Sequence, residues 1–273
     1  MERSRTRIGP VEFIWGSRTY IMGVLNVAPD SFSGDGTPDV EQAIARGKEL
    51  AQQGADIIDV GGESTRPDYV PVSLEEETRR VVPVIEALAA GVKVPVSIDT
   101  YKSGVACRAV EAGARMINDV WGLKQDPDLA RVAAEYDVPL VITQNQRGAS
   151  FTDFFPELVE DMRRSVDLAL RAGVRPENII MDPGVGFGKT VDQNLEIIRR
   201  LGELREMGFP VLLGTSRKSF IGLVLHLPVN DRLEGTAASV AIGIAHGADL
   251  VRVHDVSRMV RIARMSDAIV RGR

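Results

Sequence analysis

Asn26, Asp99, Asn118, Asp119, Asp182, Lys218, Arg252 and His254 share one place in the sequence pattern: each lies at or near the end of a short, apolar, β-branched run. The runs are TYIMGVLN, VPVSID, ARMIND, NIIMD, PVLLGTSRK and DLVRVHD. A charge buried without partners costs several kcal/mol, a large fraction of a domain's net stability. One such residue is an accident of packing; a set of them at strand C-termini reads as one site assembled from many strands. Asp99, Asn118 and Asp182 match a flat heterocycle with adjacent N–H donors, such as a 2-amino-4-oxo ring, because a carboxylate accepts two parallel N–H bonds. Lys218 would reach the acceptors of such a ring. Arg252 and His254, with the neutral oxygen of Asn26 beside them, suit a phosphate or pyrophosphate held with Mg²⁺. Blander readings stand beside these. Asp99 would serve equally as a cap for a helix beginning near Ser103, Asp182 as a turn cap before Pro183, and His254 as a core histidine. His226 and His246 have no ligand spacing around them and are read as structural.

The elements that must position these residues alternate. Residues 7–15 and 18–25 read as an opening hairpin leading into the first barrel strand. Strand-like and helix-like segments then follow one another eight times, ending in DLVRV and the helix VSRMVRIARMSDAIV. Ser73 with Glu76 three residues on reads as a capping box for the second helix. Eightfold alternation predicts an α/β fold, a single (β/α)8 TIM barrel, with chemistry in the loops after the strands. The competitor, a doubly wound sheet, should carry a phosphate-binding glycine turn after its first strand, and VLNVAPD is not one. DPGVGFGKT looks like a nucleotide loop, but Pro183 stands where that pattern needs glycine. Lys189 is therefore read as a loop residue near Asp182. Loops 28–39 and 61–73 exceed the usual βα length of roughly 2–6 residues and read as lids or as plain surface loops.

Bulk properties bound the rest. The 273 residues suit one barrel, 1–273, better than two domains, and no linker or repeat divides them. A net charge of −5 gives no reason to expect nucleic acid or an anionic membrane as partner. No apolar run reaches spanning length, and MERSRTRIGP lacks the apolar stretch of a signal peptide. The single cysteine, Cys107, rules out an internal disulfide framework, points to the cytoplasm and reads as a small buried thiol on a helix.

From Tyr20 almost to the end, the chain resembles the dihydropteroate synthases. The resemblance is carried by MGVLNVAPDSFSGDG, DVGGESTRP, VSIDT, INDV, DPGVGFGKT, GTSRKSFIG and RVHDV. It implies a TIM barrel that joins 6-hydroxymethyl-7,8-dihydropterin pyrophosphate to 4-aminobenzoate with Mg²⁺, by an SN1-like loss of pyrophosphate. Carried over by motif, it implies that Asp99, Asn118, Asp182 and Lys218 hold the pterin, and Asn26, Thr65, Arg252 and His254 the pyrophosphate. Asn26 would hold the metal, and Thr65, Arg66, Pro67 and Ser219 would frame the aminobenzoate. Lys218, Arg252, Asp99 and Asp182 would carry the catalytic work. A homodimer, packed through the small apolar helix at 232–247, follows from the same resemblance; packing of that helix on the barrel wall is the alternative. Three departures from the family pattern stand out: Ala28 for threonine, Asp35 shifted by one position, and Thr143-Gln144 where Met-His is usual. Two other classes share the pterin-binding residues: a non-catalytic pterin-binding paralogue and a methyltetrahydrofolate-dependent methyltransferase. The STRP and GTSRKSFIG motifs speak against the latter.

Overall fold

The computed structural model describes residues 4–27, 39–63, 70–145 and 151–272. The chain opens with an antiparallel hairpin, β1 (Arg5–Ile8) and β2 (Val11–Ile14). The hairpin expected between 7–15 and 18–25 thus lies earlier. Gly9 adopts φ +57°, as the first central residue of a two-residue hairpin turn often must, so Gly9-Pro10 reverses the chain there. The next segment, β3 (Tyr20–Asn26), is already a barrel strand.

Eight parallel strands follow in a ring. After β3 come α1 (Val40–Gln52), β4 (Ile57–Gly61), α2 (Leu74–Gly91), β5 (Val96–Asp99), α3 (Ser103–Glu111) and β6 (Met116–Asp119). Then come α4 (Leu129–Glu135), β7 (Leu140–Thr143), α5 (Phe154–Arg171), β8 (Ile179–Asp182), α6 (Val191–Arg199) and the single turn α7 (Leu201–Leu204). The chain finishes with β9 (Leu212–Leu213), α8 (Ser219–Leu225), α9 (Leu233–Ala245), β10 (Leu250–Val253) and α10 (Val256–Arg271). Neighbours run β8-β7-β6-β5-β4-β3-β10-β9, and a parallel bridge from Met181 to Val211 joins the two ends. The fold is the (β/α)8 barrel read from the alternation.

Side chains alternate along each strand, so one set faces the helices and the other the lumen. The helix-facing set joins the continuous apolar layer that includes Ile58, Val60, Ile98, Ile117, Ile142 and Val251. The lumen set begins apolar: Met22, Ile57, Met116, Val141, Ile180, Leu212 and Leu250. Ile8, Phe13, Trp15 and Tyr20 join that lower layer, so the hairpin plugs the bottom of the barrel. Its polar atoms are matched, with Trp15 Nε1 donating to Thr6 Oγ1 at 2.8 Å and Ile14 N to Tyr20 Oη at 2.9 Å. Two residues further along most strands the lumen turns polar, with Asp59, Asn118, Thr143, Asp182 and Arg252, whereas β3 keeps Val24 and Gly214 follows β9.

Local expectations hold with two changes. Ser73 caps α2 by accepting from Glu76 N, but the Glu76 carboxylate pairs with Arg79 and Arg80 rather than closing the box. A complete capping box stands instead at Thr190 and Gln193 on α6. Cys107 is half-buried rather than buried, with Sγ 3.4 Å from Tyr136 Oη. Among the described residues no helix is long and apolar enough to cross a membrane.

Candidate active site

Register places the polar residues on one rim. Asn26 pairs with Gly61, Gly61 with Asp99, Asp99 with Asn118, and Thr143 with Asp182. On the far side of the lumen, β10 brings Arg252. Its Nε donates to Asp59 Oδ2 at 2.6 Å and its Nη2 to Asp99 Oδ2 at 2.5 Å. Asn118 Nδ2 donates to the same Asp59 oxygen at 2.9 Å. Of the residues expected to hold a ring or a phosphate, Asp99 and Arg252 are therefore bonded to each other. Asp99 does not cap α3: the N-cap there is Lys102, and Ser103 N is bound by Asp126.

Asp182 does two things. Oδ1 accepts from Gly184 N at 2.8 Å, so the turn-cap reading holds, and Oδ2 is left toward the lumen. Gly214 shows where it points. A β-carbon placed there would lie 3.8 Å from Lys218 Nζ, 3.9 Å from Arg252 Cβ and 3.9 Å from Asp182 Oδ2. Lys218 Nζ and Asp182 Oδ2 thus face the same point beside Gly214, with the base of the Arg252 side chain behind it and its guanidinium turned to Asp59 and Asp99. Lys218 reaches that point because the preceding residue, Arg217, takes φ +58° and is tied outward to Asp255 at 2.6 Å. Lys218 Nζ also donates to Val185 O and lies 4.4 Å from the Phe187 ring centre.

Burial sets the charge states. It pushes the Asp99 carboxyl up to about 7, against the pull of Arg252, and raises Asp182 against the pull of Lys218. It lowers Lys218 to about 8, against the pull of Asp182. Arg252 loses some basicity to burial, but Asp59 and Asp99 outweigh that loss and hold it firmly charged.

His254, just past β10, is half-buried. Its backbone N–H donates to Ser216 Oγ at 3.2 Å, and its Nδ1 is 2.9 Å from the same oxygen. Asn26 ends β3 exposed at the rim. Ser219 is exposed at the start of α8. Thr65, Arg66 and Pro67 lie outside the described residues, as do Ala28 and Asp35. Thr143 faces the lumen beside Asp182, and its neighbour Gln144 turns away to Asp161 at 3.0 Å. His246 Nδ1 meets Ile198 O, and His226 sits at the left-handed end of α8, so both are structural.

Three features escape a reading of strand ends alone. Asp59, fully buried and two residues before the end of β4, joins Asn118 to Arg252. Lys189 Nζ donates to Gln144 O, Gly184 O and Phe187 O, fastening the β8 loop from beneath, and burial lowers it to about 7. Lys102 Nζ bridges Glu63 and Glu77, 2.6 Å from each, and Glu63 also accepts from Val72 N at 2.9 Å. The first had a signal: in ADIIDVGG the period of two that places Ile57 in the lumen also places Asp59 there.

For the expected Mg²⁺, Asn26 offers one hard, neutral oxygen. No group of three His, Cys, Asp or Glu among the described residues could hold a metal. A single protein oxygen fits a cation that keeps several waters and takes its other ligands from substrate phosphates.

Residues 22–254 match the pterin binding enzymes. The dihydropteroate synthase of Clostridium beijerinckii is 54% identical over 267 residues, covering 97% of this chain and 99% of its own. That of Bacillus subtilis is 49% identical, covering 96% and 92%. Among solved structures, the Clostridium difficile dihydropteroate synthase determined with pteroic acid superposes with a TM-score of 0.92 at 50% identity, over 95% of this chain and 99% of that one. The Xanthomonas albilineans enzyme with 4-aminobenzoic acid gives a TM-score of 0.92 at 39% identity, over 98% of each chain. Motif, barrel and rim agree with these likenesses: the chain belongs to the pterin-binding enzymes, in the dihydropteroate synthase family.

Proposed function

We propose that this protein is a working dihydropteroate synthase. It condenses 6-hydroxymethyl-7,8-dihydropterin pyrophosphate with 4-aminobenzoate, releasing pyrophosphate. The observation that carries the reading is one rim on which Lys218 Nζ and Asp182 Oδ2 meet at Gly214 while Arg252 joins Asp59 and Asp99 beside them. A carboxylate there accepts ring N–H groups, an ammonium donates to ring acceptors, and a guanidinium lies within reach of an anionic leaving group. Asp182, Asn118 and Asp99 hold the ring; Arg252, His254 and Asn26 hold the pyrophosphate. Thr65, Arg66, Pro67 and Ser219 frame the arylamine. When bound, Mg²⁺ supplies charge neutralisation to the leaving pyrophosphate.

The reaction breaks the bond between the pterin methylene and the pyrophosphate oxygen, whose electron pair leaves with the pyrophosphate. The arylamine nitrogen then forms the new C–N bond and gives up one proton. Fixed positive charge at Arg252 and a donor at His254 stabilise the leaving group, and the barrel supplies orientation, so no strong base is required. The reading extends to a cytoplasmic homodimer. In support, α9 packs on the barrel through Val240, Gly243 and Ile244, while Ile242 is 49% exposed and Met265 and Ile269 of α10 are 62% and 71% exposed. The test is pyrophosphate release on mixing protein, dihydropterin pyrophosphate, 4-aminobenzoate and Mg²⁺. Release that needs the arylamine and vanishes in Asp182→Ala establishes the activity. Tight pterin binding without release would make the protein a pterin binder only.

A further inference from the structure

Asp59 sits at the centre of the lumen network without belonging to the set that meets the substrate in the reading above. It is fully buried. One of its oxygens, Oδ2, accepts from both Asn118 Nδ2 at 2.9 Å and Arg252 Nε at 2.6 Å. The geometry decides more than a salt bridge does. Asn118 carries an amide whose two ends have opposite polarity, and in an open pocket either end could face a ligand. A carboxylate oxygen only accepts, so the NH₂ end must turn to Asp59. Among the described residues nothing donates to Asn118 Oδ1, which is left as an acceptor on the pocket side.

A second observation points the same way. Asp59 Oδ1, Ser97 Oγ and Thr143 Oγ1 are buried with no hydrogen-bond partner among the described residues. All three face the lumen by strand alternation, and Asp59 and Ser97 are register partners. Unsatisfied buried polar atoms are rare and costly, so this layer of the lumen has bonding capacity beyond what its own side chains supply.

We propose that Asp59 is a positioning residue that sets the hydrogen-bonding polarity of the pterin pocket. By taking the NH₂ of Asn118 it presents Asn118 Oδ1 as an acceptor for a ring N–H. By taking Arg252 Nε it fixes the guanidinium at the pyrophosphate end. The selectivity is for a heterocycle that offers N–H donors to Asn118 as well as to Asp182. A ring with an acceptor at that edge would meet oxygen against a lone pair. The proposal rests on the pterin reading of the site.

Its test compares two variants at position 59. Asp59→Asn keeps an oxygen that can accept from Arg252 Nε and Asn118 Nδ2 together, so Asn118 still presents Oδ1 to the pocket. Asp59→Leu removes that acceptor, and the Asn118 amide can then turn either end to the pocket. Binding of pteroic acid is measured by calorimetry, and KM is measured for dihydropterin pyrophosphate and for 4-aminobenzoate. The expected result is pteroic acid binding weakened about tenfold to a hundredfold in Asp59→Leu, the range of one lost or reversed hydrogen bond. Asp59→Asn should bind within about threefold of wild type, and KM for 4-aminobenzoate should move less than about threefold in both. If Asp59→Leu does not fold, Asp59→Ala makes the same comparison. Wild-type binding by Asp59→Leu, or binding by Asp59→Asn as weak as that of Asp59→Leu, overturns the proposal. A wild-type protein that binds no pteroic acid overturns the pterin reading itself, and the proposal with it.

Discussion

Arg252 and Asp99 are bonded across the lumen, Nη2 to Oδ2 at 2.5 Å, although the sequence motifs send one to pyrophosphate and the other to pterin. Under the proposed function, the two halves of the substrate site share a charge pair. In Asp99→Asn, Arg252 keeps Asp59 as partner, so the fold survives and the loss falls on the ligand. A charge-assisted hydrogen bond contributes about 1.5–3 kcal/mol, so kcat/KM for dihydropterin pyrophosphate should fall about tenfold to a hundredfold. Steady-state kinetics with each substrate varied in turn checks this; an unchanged kcat/KM would refute it.

Acidity at the rim predicts a narrow pH optimum. Burial holds Asp99 protonated below about 7 and Lys218 uncharged above about 8, so the form with both groups ionised is most populated between them. A profile of kcat/KM against pH should be bell-shaped with apparent limbs near those values, belonging to the coupled site as a whole. Stability runs the other way for the acid limb. Asp99 binds its proton more tightly folded than unfolded, so its contribution falls as pH rises from about 4, the unfolded value, to about 7. Urea titrations at about pH 5 and about pH 7 should show wild type losing stability relative to Asp99→Asn.

Lys189 fastens the loop that carries Val185 and Phe187 against Lys218. Lys189→Met removes a donor shared by three carbonyls, of which Gly184 O keeps Phe187 N, and a buried carbonyl left without a partner costs about 1–3 kcal/mol. The expected outcome is a loss of about 2 kcal/mol in urea denaturation, with a raised KM for dihydropterin pyrophosphate. A variant as stable as wild type with unchanged KM would show the loop holds without it.

Two glycines with positive φ should respond very differently. At Gly184, φ +68°, a β-carbon would overlap Gln144 O, so Gly184→Ala must displace the β8 loop. At Gly208, φ +88°, nothing stands within 4 Å, and Gly208→Ala carries only the left-handed strain of about 1–2 kcal/mol. Thermal melts and pteroic acid binding separate them: Gly184→Ala loses binding, whereas Gly208→Ala melts slightly lower and binds normally.

The barrel is legible in the sequence because eight strands and their helices obey different periods, and the residues that break those periods are the site. Strand-end logic finds Asp99, Asn118, Asp182, Lys218 and Arg252, since a charge closing an apolar run is visible in one dimension. It misses Asp59, which closes nothing; its role appears only when the barrel sets it across from Arg252. The hairpin expectation fails because RIGPVEFIW and RTYIMGVL are both strand-like, and only the Gly9 turn decides which segments pair. Lys189 does lie near Asp182, but one of its acceptors, Gln144 O, belongs to another loop 45 residues away in sequence.

The hairpin plug also sets a timetable for biogenesis. Residues 5–14 leave the ribosome long before the residues that hold this region: Gly16 N is bound by Asp249, and Thr19 by Asp267, 248 residues away. Arg271 reaches back to Gly16 O. A nascent chain lacking β10 and α10 leaves β3 and β9 as bare strand edges, the exposed state from which aggregation begins. Folding of this barrel is therefore committed only once β10 and α10 have been made.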